Sequence, residues 1–86
     1  MSDRLYAIKI LFFATLKDRT GFSRVSLEIP EGLTVKELKD LLSNQYPGLL
    51  LAMPSALVAI NHEFAFDEDN IPDEAEVAFF PPVSGG

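Results

Sequence analysis

The chain contains no cysteine. Disulfides, thiolate metal sites and cysteine nucleophiles are therefore excluded together. There is one histidine, His62, in a turn-like stretch with no serine triad around it. A lone turn histidine faces solvent far more often than it catalyses. No apolar run approaches the ~20 residues of a membrane-spanning helix. The start, Met1-Ser2-Asp3-Arg4, lacks the basic and then apolar regions of a signal peptide. The expectation is a cytoplasmic protein with no membrane contact. Cations are scarce, with seven Lys and Arg against thirteen Asp and Glu, a net charge of −6. Nucleic-acid binding draws most of its affinity from a basic face, so it is not expected here. The acidic surplus fits ordinary solubility and steering toward a partner with a basic docking surface. Repeats, low-complexity segments and linkers are also missing. What remains is 86 residues, 48% of them hydrophobic, enough for one small domain with one core.

Alternation organises the first third. Over Tyr6–Ala14 the even positions Ile8, Ile10 and Phe12 make one apolar face. Ala7, Lys9, Leu11 and Phe13 make a mixed one, and Lys9 marks it as partly solvated. Leu16–Phe22 reads as a turn, and Val25, Leu27 and Ile29 alternate in a second strand that completes a hairpin. After Pro30-Glu31-Gly32, Thr34 and Glu37 have capping-box spacing. Val35, Leu38, Leu41, Leu42 and Tyr46 then recur at helical spacing, opposite Lys36, Lys39, Asp40 and Ser43. Pro47-Gly48 stops the helix. Leu49–Met53 reads as one apolar turn packed under the sheet. Leu57–Ile60 is a third strand, Asn61-His62-Glu63 a turn, and Phe64–Phe66 a short fourth strand. The acidic stretch 67–76 lacks the spacing of a calcium loop and reads as solvated, with no metal site expected.

Val77–Phe80 is a last strand, ended by Pro81 and Pro82, which have no N–H for a ladder. The order β-β-α-β-β-β predicts an α+β fold. One main helix packs on a small mixed sheet with its first and last strands central, a β-grasp, ubiquitin-like arrangement. The expected division is a domain over 1–80 and a flexible tail over 81–86. Alternation turns Phe13 and Phe80 to the face away from the helix, and Phe64 joins them from the adjacent hairpin. One helix covers one face only, so this apolar patch reads as a partner site; mutual shielding of the two rings is the plainer alternative.

The tail, Pro81-Pro82-Val83-Ser84-Gly85-Gly86, is the most informative stretch. Glycine has no Cβ and threads a channel too narrow for other residues. Fully extended at about 3.3–3.6 Å per residue, the tail would reach roughly 20 Å and present its carboxylate to an active site. A frayed terminus and an appended scar are the bland alternatives.

Leu11-Phe12-Phe13-Ala14, Val58-Ala59-Ile60-Asn61 and the run Glu76–Gly86 together resemble the small subunit of molybdopterin synthase, a ubiquitin-like sulfur carrier. The resemblance runs from about Ala7 to Gly86, and the terminal run is its most specific part. It implies that Gly86, with Gly85 as slender neighbour, bears first an acyl adenylate and then a thiocarboxylate. It implies no bound cofactor, ATP and Mg²⁺ being used by an adenylating activating enzyme, and a separate sulfur-transfer system. The tail would enter the large synthase subunit, in a heterotetramer, and give sulfur to precursor Z. Catalytic side chains would lie on that partner. Phe13, Phe64 and Phe80 match the family's apolar docking surface, and Pro81, Pro82, Val83 and Ser84 its tail. Two departures stand out: Asp73-Glu74-Ala75 replaces an Asp-Gly turn, which puts the tightness of that turn in question, and Ser84 replaces a common Thr. Carriers for thiamine or tRNA thiolation, a ubiquitin-like protein modifier and a plain interaction module with an inert tail remain alternatives.

Overall fold

The computed structural model describes residues 4–82. The elements are β1 (Leu5–Phe12), α1 (Thr15–Thr20), β2 (Arg24–Pro30), α2 (Val35–Gln45), 3₁₀ turns at Pro47–Leu49 and Met53–Ser55, β3 (Leu57–Ile60), β4 (Glu63–Ala65) and β5 (Glu76–Phe80). The five strands form one sheet in the order β2-β1-β5-β3-β4. β1 and β5 pair in parallel at its centre, and the other pairs are antiparallel. This is the β-grasp arrangement that the alternation predicts.

Period-2 patterning decides which face is dry. Ile8, Ile10 and Phe12 of β1, Val77 and Phe79 of β5, and Val58 of β3 are all buried. They pack with Val35, Leu38 and Leu42 of α2, while Leu49, Met53, Leu16 and Ile71 close the edges of the core. The helix starts where its cap predicts. The Glu37 N–H donates to the Thr34 hydroxyl at 3.2 Å, and the Thr34 N–H donates to the Glu37 carboxylate at 2.9 Å. That backbone donor, with the Thr34 hydroxyl, holds the Glu37 carboxyl below its ordinary range.

Four expectations change. The stretch after β1 is not an open turn but the six-residue helix α1, closed by Gly21 at φ 81°. It buries only Leu16, so it leaves almost no periodic signal to read. Leu41 is half-buried, and Leu42 takes the core position beside Leu38. Lys39, placed by periodicity on the solvent face, is buried instead. Its Nζ donates to the Ala56 carbonyl at 3.0 Å and meets the Asp67 carboxylate at 3.0 Å, tying α2 to the start of β3 and the loop after β4. In the run 49–53, Leu49 and Met53 are buried, whereas Leu50 and Leu51 point outward. Gly48 has a reason to be glycine: a Cβ there would sit 2.7 Å from the Arg19 carbonyl oxygen, where α1 crosses the 3₁₀ turn.

The turn before β5 is tight despite lacking glycine. Asp73 Oδ1 accepts from the N–H groups of Ala7 and Glu74, and Glu74 N–H also reaches the Ala7 carbonyl at 2.9 Å. Glu74 achieves this at φ 60°, in the left-handed region. For a residue with a Cβ this costs about 1–2 kcal/mol. Glu74→Gly should therefore raise stability by about 0.5–1 kcal/mol, the strain relief minus glycine's larger unfolded-state entropy. A urea melt checks it, and an unchanged midpoint would mean the turn stores no strain.

Candidate docking face and tail exit

The sheet face opposite α2 is built in rows set by the strand register. Leu11 lies beside Ala78, Ala78 beside Ala59, and Ala59 beside Phe64. The two alanines on the central strands lower the floor, and larger side chains rise around it. At the end where β5 finishes, Phe13 and Phe80 stack with ring centroids 4.7 Å apart and planes 9° apart. Together these residues surround a shallow concavity of about 330 Å³.

Each sequence-predicted aromatic is therefore on this face. Phe80 is half-buried, Phe13 is 41% exposed and Phe64 is 75% exposed. The rings of Phe13 and Phe80 do shield each other, as the plainer alternative holds. Phe64 remains uncovered across the alanine floor, with Leu57 exposed in the neighbouring row. Contiguous apolar surface of this kind marks an interaction site. The lining of this concavity has no serine, threonine, cysteine or lysine, and among the described residues no three His, Cys, Asp or Glu side chains group to hold a metal ion. Chemically it can bind, and a reacting group would have to come from elsewhere.

The last described residues leave the sheet beside the patch. β5 is held to the end of β1 by the Phe13 N–H donating to the Phe79 carbonyl at 3.2 Å. Pro81 is half-buried and Pro82 exposed, so the chain leaves the sheet at the stacked rings. Val83, Ser84, Gly85 and Gly86 lie outside the described residues.

Three polar residues at the rim were not assigned to a site by sequence reasoning. The Asn61 N–H donates to the Glu76 carbonyl at 2.9 Å, and the Glu76 N–H donates to Asn61 Oδ1 at 3.0 Å. His62 Nε2 lies 3.0 Å from Glu76 Oε2. Glu76 was grouped with the acidic connection, yet it is the first residue of β5. The available signal was the alternation of β5 extended one step back, which puts position 76 on the same face as Ala78 and Phe80. No helix among the described residues is long and apolar enough to cross a membrane.

Comparison with known proteins agrees with this geometry. Residues 10–86 match the ThiS family. The molybdopterin synthase sulfur carrier subunit of Escherichia coli is 35% identical over 83 residues, covering 92% of this chain and 99% of that one. The molybdopterin synthase sulfur carrier subunit of Arabidopsis thaliana is 33% identical over 79 residues, covering 92% of this chain and 82% of that one. Among solved structures, SAMP1 of Haloferax volcanii, a small archaeal modifier protein, superposes with a TM-score of 0.78 at 27% identity, covering 93% of this chain and 99% of that one. A match over nearly the whole chain, together with relatives above 30% identity, makes this protein a member of the ThiS family.

Proposed function

We propose that the chain is the sulfur-carrier subunit of a molybdopterin synthase, whose C-terminal Gly86 carries sulfur as a thiocarboxylate to precursor Z. The observation that carries this reading is the central strand β5, which runs past an exposed aromatic face straight into Pro81 and Pro82 and on toward Gly85-Gly86. The curated relatives quoted above bear that subunit's name.

The chemistry suits a chain without catalytic side chains. A carboxylate is a poor electrophile. Adenylation by an activating enzyme with ATP and Mg²⁺ releases pyrophosphate and leaves an acyl adenylate. Sulfide released by a transfer system then attacks the acyl carbon and expels AMP, giving the thiocarboxylate. The division of labour is a β-grasp domain over 1–80 that docks and a tail over 81–86 that reaches. Phe13, Phe64 and Phe80 seat the large subunit, while Pro81, Pro82, Val83 and Ser84 lead Gly85 and Gly86 into it, in a heterotetramer. Without a cysteine the carrier has no thiol of its own to intercept the adenylate. The setting is cytoplasmic.

The likeness to SAMP1 favours a second reading, a modifier whose Gly86 forms isopeptide bonds with lysines. Intact mass of the protein purified from cells separates the two. A gain of about 16 Da is expected for oxygen exchanged by sulfur at the terminal carboxylate, carried by the C-terminal peptide on digestion and not by Met1 or Met53, whose oxidation adds the same nominal mass. Lysine-linked conjugates without that species would overturn the carrier reading.

Docking has its own test. Phe80→Ala should weaken association with the large subunit by about 1 kcal/mol or more while the fold persists. Titration calorimetry reads this, and unchanged affinity in a folded variant would remove Phe80 from the interface.

A further inference from the structure

We propose that His62 and Glu76 form a polar rim on the docking face that receives a cationic hydrogen-bond donor of the partner, an arginine-type side chain. The inference rests on the docking reading above and adds a specificity determinant to it.

Both residues line the same concavity as Phe13, Phe64 and Phe80. The backbone of Glu76 is clamped on both sides of its peptide by Asn61, so its carboxylate has a fixed origin. A carboxylate only accepts, so the His62 Nε2 that meets it at 3.0 Å carries the hydrogen. In the neutral ring Nδ1 is then an acceptor as well. The rim therefore offers acceptors beside an apolar floor, and the side chains are 86% and 40% exposed. Lys9, the register partner of Glu76 on β1, forms no ion pair among the described residues. A guanidinium, planar and rich in donors, complements such a pair better than an ammonium does. The chain's net charge of −6 favours the same sign.

The backbone supplies an independent observation. The β3–β4 loop is the two residues Asn61 and His62, both at positive φ, 50° and 74°. Such loops prefer Asn followed by Gly. A histidine therefore occupies a glycine position, and a side-chain contact this exposed contributes little to folding. Backbone strain kept without a folding benefit points to a function for the side chain.

The test uses the purified large subunit from the same organism as titrant, at two salt concentrations. His62→Gly should raise the melting temperature by a few degrees, the shift expected from relieving strain in a domain of this size. It should also weaken binding roughly three- to fivefold. Glu76→Gln should weaken binding and flatten its salt dependence. Unchanged affinity in both variants overturns the proposal, as does a His62→Gly melting temperature that falls along with affinity. If Phe80→Ala weakens binding while both rim variants do not, the docking reading stands and the rim falls. Failure of the unmodified chain to bind overturns both.

Discussion

Deleting Gly86 is expected to abolish sulfur delivery while leaving the melting curve in place. Every buried side chain among the described residues lies at or before Phe79, so the core is complete before the tail begins. The arm is another matter. Reacting atoms must approach to about 3–3.5 Å, and one residue of extended chain spans about 3.3 Å. Shortening the arm by one residue therefore misplaces its carboxylate by a full reaction distance. Replacing Gly85 with a bulky residue should act the same way, because a side chain would strike the walls of a channel shaped for glycine. The measurement is conversion of precursor Z to molybdopterin in a reconstituted synthase, beside a thermal melt. Near-normal conversion by the shortened chain would sink the carrier reading.

Leu38→Ala should produce the largest loss of stability, about 2–5 kcal/mol. Leu38 is fully buried on α2 beneath the sheet, with Leu42 one turn further on. At about 0.05–0.15 kcal/mol per residue, a domain this size has roughly 4–13 kcal/mol in total. The substitution would thus remove a large share of it. Leu41→Ala, at a half-buried position, should cost less than Leu38→Ala. Denaturant melts of the two variants check the order, and equal losses would mean the helix is rotated from the register described here.

Alternation in β1 and β5 and the capping box on α2 were legible because each uses a strict period or a fixed spacing. The same period placed Phe13 and Phe80 on one face without any knowledge of a partner, and the hairpin beside them brought in Phe64. Lys39 was misread because helical periodicity sorts residues by polarity. A long aliphatic stem can lie in the core while its amine finds a carbonyl and a carboxylate from distant segments. The helix α1 was missed because a six-residue helix with one buried side chain has no period to detect. Glu74 was a warning rightly noticed, and the structure answers it. A missing glycine left the tightness of the turn in question, and Asp73 supplies enough hydrogen bonds to keep it tight under strain. The rim of Asn61, His62 and Glu76 was invisible because it is assembled from the β3–β4 loop and the start of β5, from residues that each look like ordinary turn polarity.

The central place of β5 has a consequence for how the protein comes into being. Lys9 pairs with Glu76, 67 positions later by subtraction, so the sheet closes only across nearly the full chain. Contacts that distant make folding slower, because the loop must close before they contribute. A nascent chain stopped before Glu76 would lack the strand between β1 and β3, leaving two unpaired edges and an unfinished core. The element that completes the fold is the one that leads into Gly85-Gly86. Chains cut short before or within β5 would thus fail as folded proteins and be turned over, so that among truncations only losses confined to 81–86 would leave a folded carrier without its arm.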